Sequence, residues 1–337
     1  MAGGEGKRKY RKLLYKYIEY CYYLYMDRSG KARSNLVPLP YMTPPTASRE
    51  DGAPRFDFGE LDASIRFTSK NDYPSEHRPL FNDQPLLHEE FEVFFVAAGE
   101  VSWFIEEGMY RAEPGSLVIF SAQEVHKLHI RSNKRFERMK LLFKPDSTRC
   151  FEGSGYDLLA CFLDRPKGRG NIKKLPQRRI LELLGLFDKM GKACASDAPE
   201  AKLLKLAAFL EILVFTNAVF GESDAGEVPA DLPGPVASIL DHIAKNLSGD
   251  LSLETIAREC GISVYHMCRV FKKETGSTLH NYILYKRVAE AKRLLDEGWK
   301  PAQVSGMCGF SAMSRFGAAF KKVAGLSPSA FAKRKSP

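Results

Sequence analysis

The sequence predicts a multidomain α+β protein. An N-terminal β-barrel with dimerisation helices behind it would precede an all-α C-terminal domain, in which two similar helix pairs flank one long helix. Three observations carry this expectation. Short β-branched and aromatic runs fill residues 56–145. From about residue 178 the apolar residues recur at three and four instead of two. The stretch "CRVFKKETG" (268–276) returns 49 residues later as "GAAFKKVAG" (317–325).

Composition sets the outer bounds. A chain of 337 residues with 44% hydrophobic residues has room for two globular domains and a linker. Its seven cysteines form no CxxC pair and no zinc-finger spacing, which favours reduced thiols in a cytoplasm over a disulfide framework. No run of eighteen apolar residues occurs. The nearest, "LLKLAAFLEILVFTNAVF" (203–220), is broken by Lys205, Glu211 and Asn217, so it reads as a buried or dimer-forming helix and no membrane partner is expected. The net charge of +9 is uneven: +6 over residues 1–35, −5 over 36–232 and +8 over 233–337. A basic C-terminal third behind an acidic middle points to a polyanion partner for one domain only.

Along the chain, residues 1–50 read as a basic Tyr/Pro-rich extension. Seven of the fourteen tyrosines lie between Tyr10 and Tyr25, and "PLPYMTPP" cannot sustain regular structure. An RNA- or membrane-surface role for this arm is the rival reading of the basic charge. Residues 51–150 form the barrel. "FEVFFVAAG" (91–99), "VSWFIEE" (101–107), "GSLVIFS" (115–121) and "RMKLLFK" (138–144) are strands divided by turn signals at Gly99-Glu100, Glu107-Gly108 and Pro114-Gly115. Residues 151–221 form a helical dimerisation segment. Ile180, Leu183, Leu184, Leu186, Phe187 and Met190 share one helix face, and 200–221 is apolar on nearly every face. The Gly-, Pro- and acid-rich stretch 222–235 is a linker.

In residues 236–335 the repeated unit resolves into two helix-turn-helix layouts. In the first, Ser252 caps a short helix, Gly261 turns the chain, and Ser263 caps a second helix with Met267, Val270 and Phe271 inward. In the second, Pro301 starts the first helix, Gly309 turns, Ser311 caps, and Phe316, Ala319 and Phe320 face inward. The offset is 48 before the turn and 49 after it, so the second turn holds one extra residue. Between them "TLHNYILYKRVAEAKRLLDEG" gives a helix over Leu279–Glu297, about 28 Å long at 1.5 Å per residue. Successive major grooves on one face of B-DNA lie about 34 Å apart. A stiff helix of that length holds two recognition helices near one-turn spacing.

These residues carry a resemblance. Ala257, Gly261, Ser263, Phe271-Lys272-Lys273, Gly276, Tyr282, Arg287, Ala291, Gly309-Phe310-Ser311, Phe320-Lys321-Lys322, Gly325 and Pro328 resemble the pattern of the DNA-binding domain of AraC-type (AraC/XylS family) transcription regulators. The resemblance implies double-stranded DNA as partner, with Ser263, Tyr265, His266, Cys268 and Arg269 at the major groove. Arg269 is the guanine reader, since its fork matches N7 and O6, and Lys272 and Lys273 serve phosphates. In the second copy the candidates are Ser311, Met313, Ser314, Arg315 and Lys321. That copy departs from the family, with Ala312, Arg315 and Ala318 where a polar residue, an aromatic and an arginine are usual. Gly306 and Gly317 fall inside its helices, which predicts a less stable unit that mainly anchors the backbone.

The stretch "LLHEEFEVFFVAAG" (86–99) is similar to the first cupin motif, with Leu86 in place of its first histidine, and His126 stands near the second motif's histidine. A cupin-like barrel in this family implies a small-molecule effector, a sugar or related metabolite, in a pocket lined by His88, Glu92, Trp103 and His126. Leu86 removes one of four ligands, so no metal and no cofactor are expected, and no catalytic motif appears. A metal-dependent cupin enzyme fused to a DNA-binding domain is the alternative. The expected protein is a cytoplasmic, effector-responsive, homodimeric transcription regulator, an activator, with RNA polymerase as a further candidate partner.

Overall fold

In the computed structural model, the described residues are 62, 64–72, 85–130, 136–222 and 232–334. The extension at 1–50 and most of the expected linker lie outside them. The architecture is mixed, with β-sheets in the N-terminal half and helices alone in the C-terminal half.

Among the described residues eight strands build the first half: β1 (Ile65–Asp72), β2 (Phe91–Ala98), β3 (Val101–Ile105), β4 (Gly108–Ala112), β5 (Ser116–Phe120), β6 (His126–Ile130), β7 (Phe136–Phe143) and β8 (Ile172–Lys174). They form a five-stranded sheet in the order β1-β7-β2-β5-β8 and a three-stranded sheet in the order β4-β3-β6, with every pairing antiparallel. Strand β2 shows how the period of two divides its work. Phe91, Val93, Phe95 and Ala97 face the helices, while Phe94 and Val96 face the smaller sheet. Between the sheets lie Trp103, Ile105, Tyr110, Val118, Phe120, Leu128 and Phe136, all buried.

Behind the larger sheet, a 3-10 segment (Pro145–Ser154) and the short helix α1 (Ala160–Leu163) lead to α2 (Gln177–Cys194) and α3 (Ala201–Gly221). Ile180, Leu183, Leu184, Phe187 and Met190 of α2 join Ala208, Phe209, Ile212 and Leu213 of α3 and the outer face of β2 in one core. Strand β8 lies inside the stretch 151–221 expected to be helical. Three residues are too few to display a period, and β8 is recognisable only from its pairing with β5. Among the described residues α3 is the one helix long and apolar enough to cross a membrane, yet Phe209, Ile212 and Leu213 are buried within the protein.

The second half holds α4 (Gly234–Lys245), α5 (Leu253–Glu259), α6 (Val264–Thr275), α7 (Leu279–Asp296), α8 (Pro301–Met307), α9 (Met313–Ala324) and α10 (Pro328–Lys333). Helix α7 separates two cores. Leu279, Tyr282 and Ile283 pack with α4, α5 and α6, whereas Val288, Ala291, Leu294 and Leu295 pack with α8, α9 and α10. The sheet domain enters both. Phe104 and Met109 belong to the first core, and Leu87 and Val125 to the second.

Candidate nucleic-acid interface and ligand site

The two short helix pairs turn alike. After α5, Gly261 takes φ +66° and the Ile262 amide donates to the Ala257 carbonyl at 3.0 Å. After α8, Gly309 takes φ +74° and the Phe310 amide donates to the Ser305 carbonyl at 3.0 Å. Both are left-handed helix stops, a conformation glycine adopts without a Cβ penalty. At Gly309 a side chain is doubly excluded, because an added Cβ would lie 2.9 Å from the Ser248 carbonyl and 2.7 Å from the Arg287 guanidinium. Arg287 binds the Leu247 and Gly249 carbonyls, so α7 fixes the loop before α5 and lies against the second turn at once.

The entries to α6 and α9 differ. The Ser263 hydroxyl accepts from the His266 amide, as expected. Ser311, expected to cap α9 in the same way, does not. The extra residue in the second turn moves the cap position to Ala312, which has no oxygen to offer, and Ser311 is instead contacted by Arg315 at 3.4 Å.

On α6, Met267 and Phe271 are buried, while Tyr265, His266, Arg269, Lys272 and Lys273 are exposed and Cys268 is half-buried. Tyr265 is 76% exposed, which is extreme for an aromatic ring without a use for water. On α9, Phe316 and Phe320 are buried, while Met313, Ser314, Arg315 and Lys321 are exposed, as is Ser311 in the turn before it. The side chains expected to meet DNA therefore stand on the open faces of both helices.

Three of the four expected pocket residues meet in one polar cluster inside the sheet domain, with Trp103 against it. Glu92 is on the inner face of β2, 1% exposed, and its Oε2 lies 3.1 Å from His88 Nε2 and 4.0 Å from His126 Nε2. The His126 ring is fully buried. It stacks on Phe120 with centroids 4.0 Å apart and lies 5.0 Å from His88 and 5.9 Å from Trp103. Leu86, the departure from the cupin pattern, pairs its backbone with His126 and so places that ring. Burial, followed by the neighbouring His88, pulls the His126 pKa down to about 4. Burial alone would raise the Glu92 carboxyl, but the His88 hydrogen bond and the Lys140 charge outweigh it and hold it below its ordinary value. A separate open cavity of about 540 Å³ lies elsewhere, lined by Tyr156, Asp157, Cys161, Arg165, Lys173 and Asn217 among others.

The sheet domain docks on α7 through contacts that the sequence did not reveal. The Tyr282 hydroxyl donates to the Glu106 carbonyl at 2.9 Å, and Lys286 meets the Glu106 carboxylate at 2.5 Å. Glu106 holds φ +52° and also accepts the Val125 amide. Glu89, beside His88, binds Lys292 at 2.7 Å and Arg334 at 2.5 Å. Burial would raise the Glu89 carboxyl, but these two cations hold it below the usual carboxylate value. Gln123 reaches Asp296 at 3.0 Å. Lys286 and Lys292 look solvent-facing in sequence, since a helical stripe does not reveal a carboxylate arriving from another domain.

Comparison with known proteins agrees with this division. Residues 76–213 match an AraC-like ligand binding domain, and residues 256–334 match a helix-turn-helix domain. The multiple antibiotic resistance protein MarA of Escherichia coli (strain K12) is 42% identical over 66 residues, 20% of this chain and 52% of MarA. The chain thus spans about half the length of that relative. The uncharacterized HTH-type transcriptional regulator YbfI of Bacillus subtilis (strain 168) is 24% identical over 233 residues, 68% of this chain and 79% of YbfI. A structure of ToxT from Vibrio cholerae aligns over 80% of this chain and 98% of its own, at 13% identity and a TM-score of 0.33. The ligand-binding match ends before α4 and the helix-turn-helix match begins within α5, so the order of domains as well as their kinds is reproduced: the chain belongs to the AraC-type family of transcription regulators.

Proposed function

We propose that the protein is a sequence-specific, double-stranded-DNA-binding activator of transcription that responds to a small-molecule effector. In this reading α5–α6 and α8–α9 are two helix-turn-helix units on the rod α7. Residues 51–150 are a cupin-like sensor, residues 151–221 dimerise the chain, 222–235 link the halves, and 236–335 bind DNA. The observation that carries it is the pair of open faces on α6 and α9, backed by buried Met267 and Phe271 in the one and by Phe316 and Phe320 in the other, and held by one 18-residue helix. At 1.5 Å per residue α7 spans about 27 Å, close to the spacing of neighbouring major grooves.

Dimerisation is supported by α3, where Leu203 and Val214 are 58% and 46% exposed in line with Ala207 and Leu210. A helical stripe of that kind matches a second copy of itself. The sensor is coupled to α7 through Glu106 and Glu89. An effector that binds one arrangement of the domains more tightly than another shifts their balance, and one that binds both equally shifts nothing. The pocket assigned to it is the cluster of His88, Glu92, Trp103 and His126. A cytoplasmic location, a metabolite-like effector and contact with RNA polymerase belong to the same reading. Footprinting of the full chain on selected DNA tests it. Protection of two adjacent major grooves on one face is expected, and protection without sequence preference would overturn it.

A further inference from the structure

We infer that the outer face of the three-stranded sheet is part of the first DNA-reading unit, with Phe104 and Met109 as positioning residues that set how α6 presents Arg269. The inference rests on the reading of α6 as a DNA reader and names what holds that helix in place. It begins with the period of two. Along β3, Val101, Trp103 and Ile105 point between the sheets, and along β4, Tyr110 and Ala112 do the same. Phe104 and Met109 fall on the opposite face and pair directly across the two strands. The sheet domain on its own would leave this apolar pair in water. Phe104 and Met109 are instead 1% and 5% exposed, because they share one core with Met267 and Phe271 of α6 and Leu279, Tyr282 and Ile283 of α7.

Three rings close the contact, one each from β3, α6 and α7. Phe104 meets Phe271 edge-on with centroids 6.4 Å apart, and each of the two lies 5.5 Å from Tyr282. Strand β6 abuts the end of the same helix. Gly276 stops α6 at φ +72°, and an added Cβ there would lie 3.2 Å from His129 Nδ1 and 3.8 Å from Lys127. Lys127 pairs with Phe104 and His129 with Ser102, so both share the outer face of β3. The small sheet thus backs the C-terminal half of α6. Arg269 lies two residues, about 200° of helical turn, from both Met267 and Phe271. The face packed on the sheet is therefore opposite the face that carries Arg269, and a tilt of one is a tilt of the other. Interiors are close-packed, so loss of the Phe104 ring frees Phe271 to shift. The second unit is held differently. Leu87 and Val125 enter its core, but Glu89 and Gln123 reach Lys292, Asp296 and Arg334, which lie on α7 and at the end of α10 rather than on α9.

The test uses the full chain and its Phe104→Ala variant. Phe104 and Met109 are buried and offer no surface to a duplex, so any change in base choice passes through α6. Preference is read on single-base variants of a selected duplex, block by block, and helix order by hydrogen exchange of the α6 and α9 amides. In Phe104→Ala, discrimination in the block read by α6 should fall at least ~10-fold and α6 should exchange faster, with the second block and α9 unchanged. Phe104→Leu keeps most of the apolar volume and should restore most of the preference. Met109→Ala makes a smaller cut in the same face and replaces Phe104→Ala if that chain does not fold. Wild-type discrimination in a folded variant, or an equal loss in both blocks, would overturn the inference. A wild-type chain without any base preference would defeat the reading of α6 itself, and the inference with it.

Discussion

The two helix pairs share a turn but not a quality of construction. The first is fastened at both helix entries, by Ser252 and Ser263. The second enters α9 through Ala312 with no side-chain cap and carries Gly306 and Gly317 inside its helices. An added Cβ at either glycine would meet nothing within 4 Å, so packing does not demand them. The difference teaches that the fold needs the turn in both copies, whereas a serine cap on the second helix is kept only where Arg269 and its neighbours are presented.

The largest expected effect concerns that presentation. Arg269→Ala should cost about 1–3 kcal/mol of discrimination at one base pair while sparing others, measured on single-base variants of a selected site. An equal loss on every sequence would move Arg269 to the phosphate backbone and blur the contrast between the pairs. Next come the caps. Ser263→Ala should destabilise the C-terminal half by about 1 kcal/mol, and Ala312→Ser, whose backbone is already extended, should recover a similar amount in the second pair. Denaturant unfolding reads both. Smaller again, Gly306→Ala and Gly317→Ala should each stabilise by roughly 0.5–1 kcal/mol. If these substitutions also sharpened sequence choice in the second half-site, looseness rather than chemistry would limit that reader.

The smallest effect tests the docking that both pairs share. The Glu89 carboxyl is held below its unfolded value by Lys292 and Arg334. Its contribution is therefore complete above the unfolded pKa of about 4.5 and is lost as pH falls through the folded one. Glu89→Gln should remove that acid-dependent step from the unfolding profile and leave the profile above pH 6 parallel to wild type.

The C-terminal half was the more legible in sequence because its signals are local. Gly261, Gly309, Ser252, Ser263 and the apolar stripe of α7 each act within one or two turns of helix. Ser311 misled because a one-residue insertion shifts a cap without changing any residue type. In the N-terminal half the longer strands showed, since runs such as "FEVFFVAAG" mark themselves. Strand β8 did not, as three residues have no period. His88, Glu92 and His126 were legible as a spacing, but their convergence depends on the Leu86–His126 pairing, which no spacing encodes. The Glu106–Lys286 and Glu89–Lys292 pairs were invisible, because they join residues 180 or more positions apart.

The account stands on one rod holding a reading unit and an anchoring unit over neighbouring grooves. Selection of the full chain against a random duplex library measures this most directly. The predicted result is two enriched blocks centred about 10 base pairs apart, the stronger one losing its preference in Arg269→Ala. A single block, or two of equal strength that Arg269→Ala leaves untouched, would contradict it.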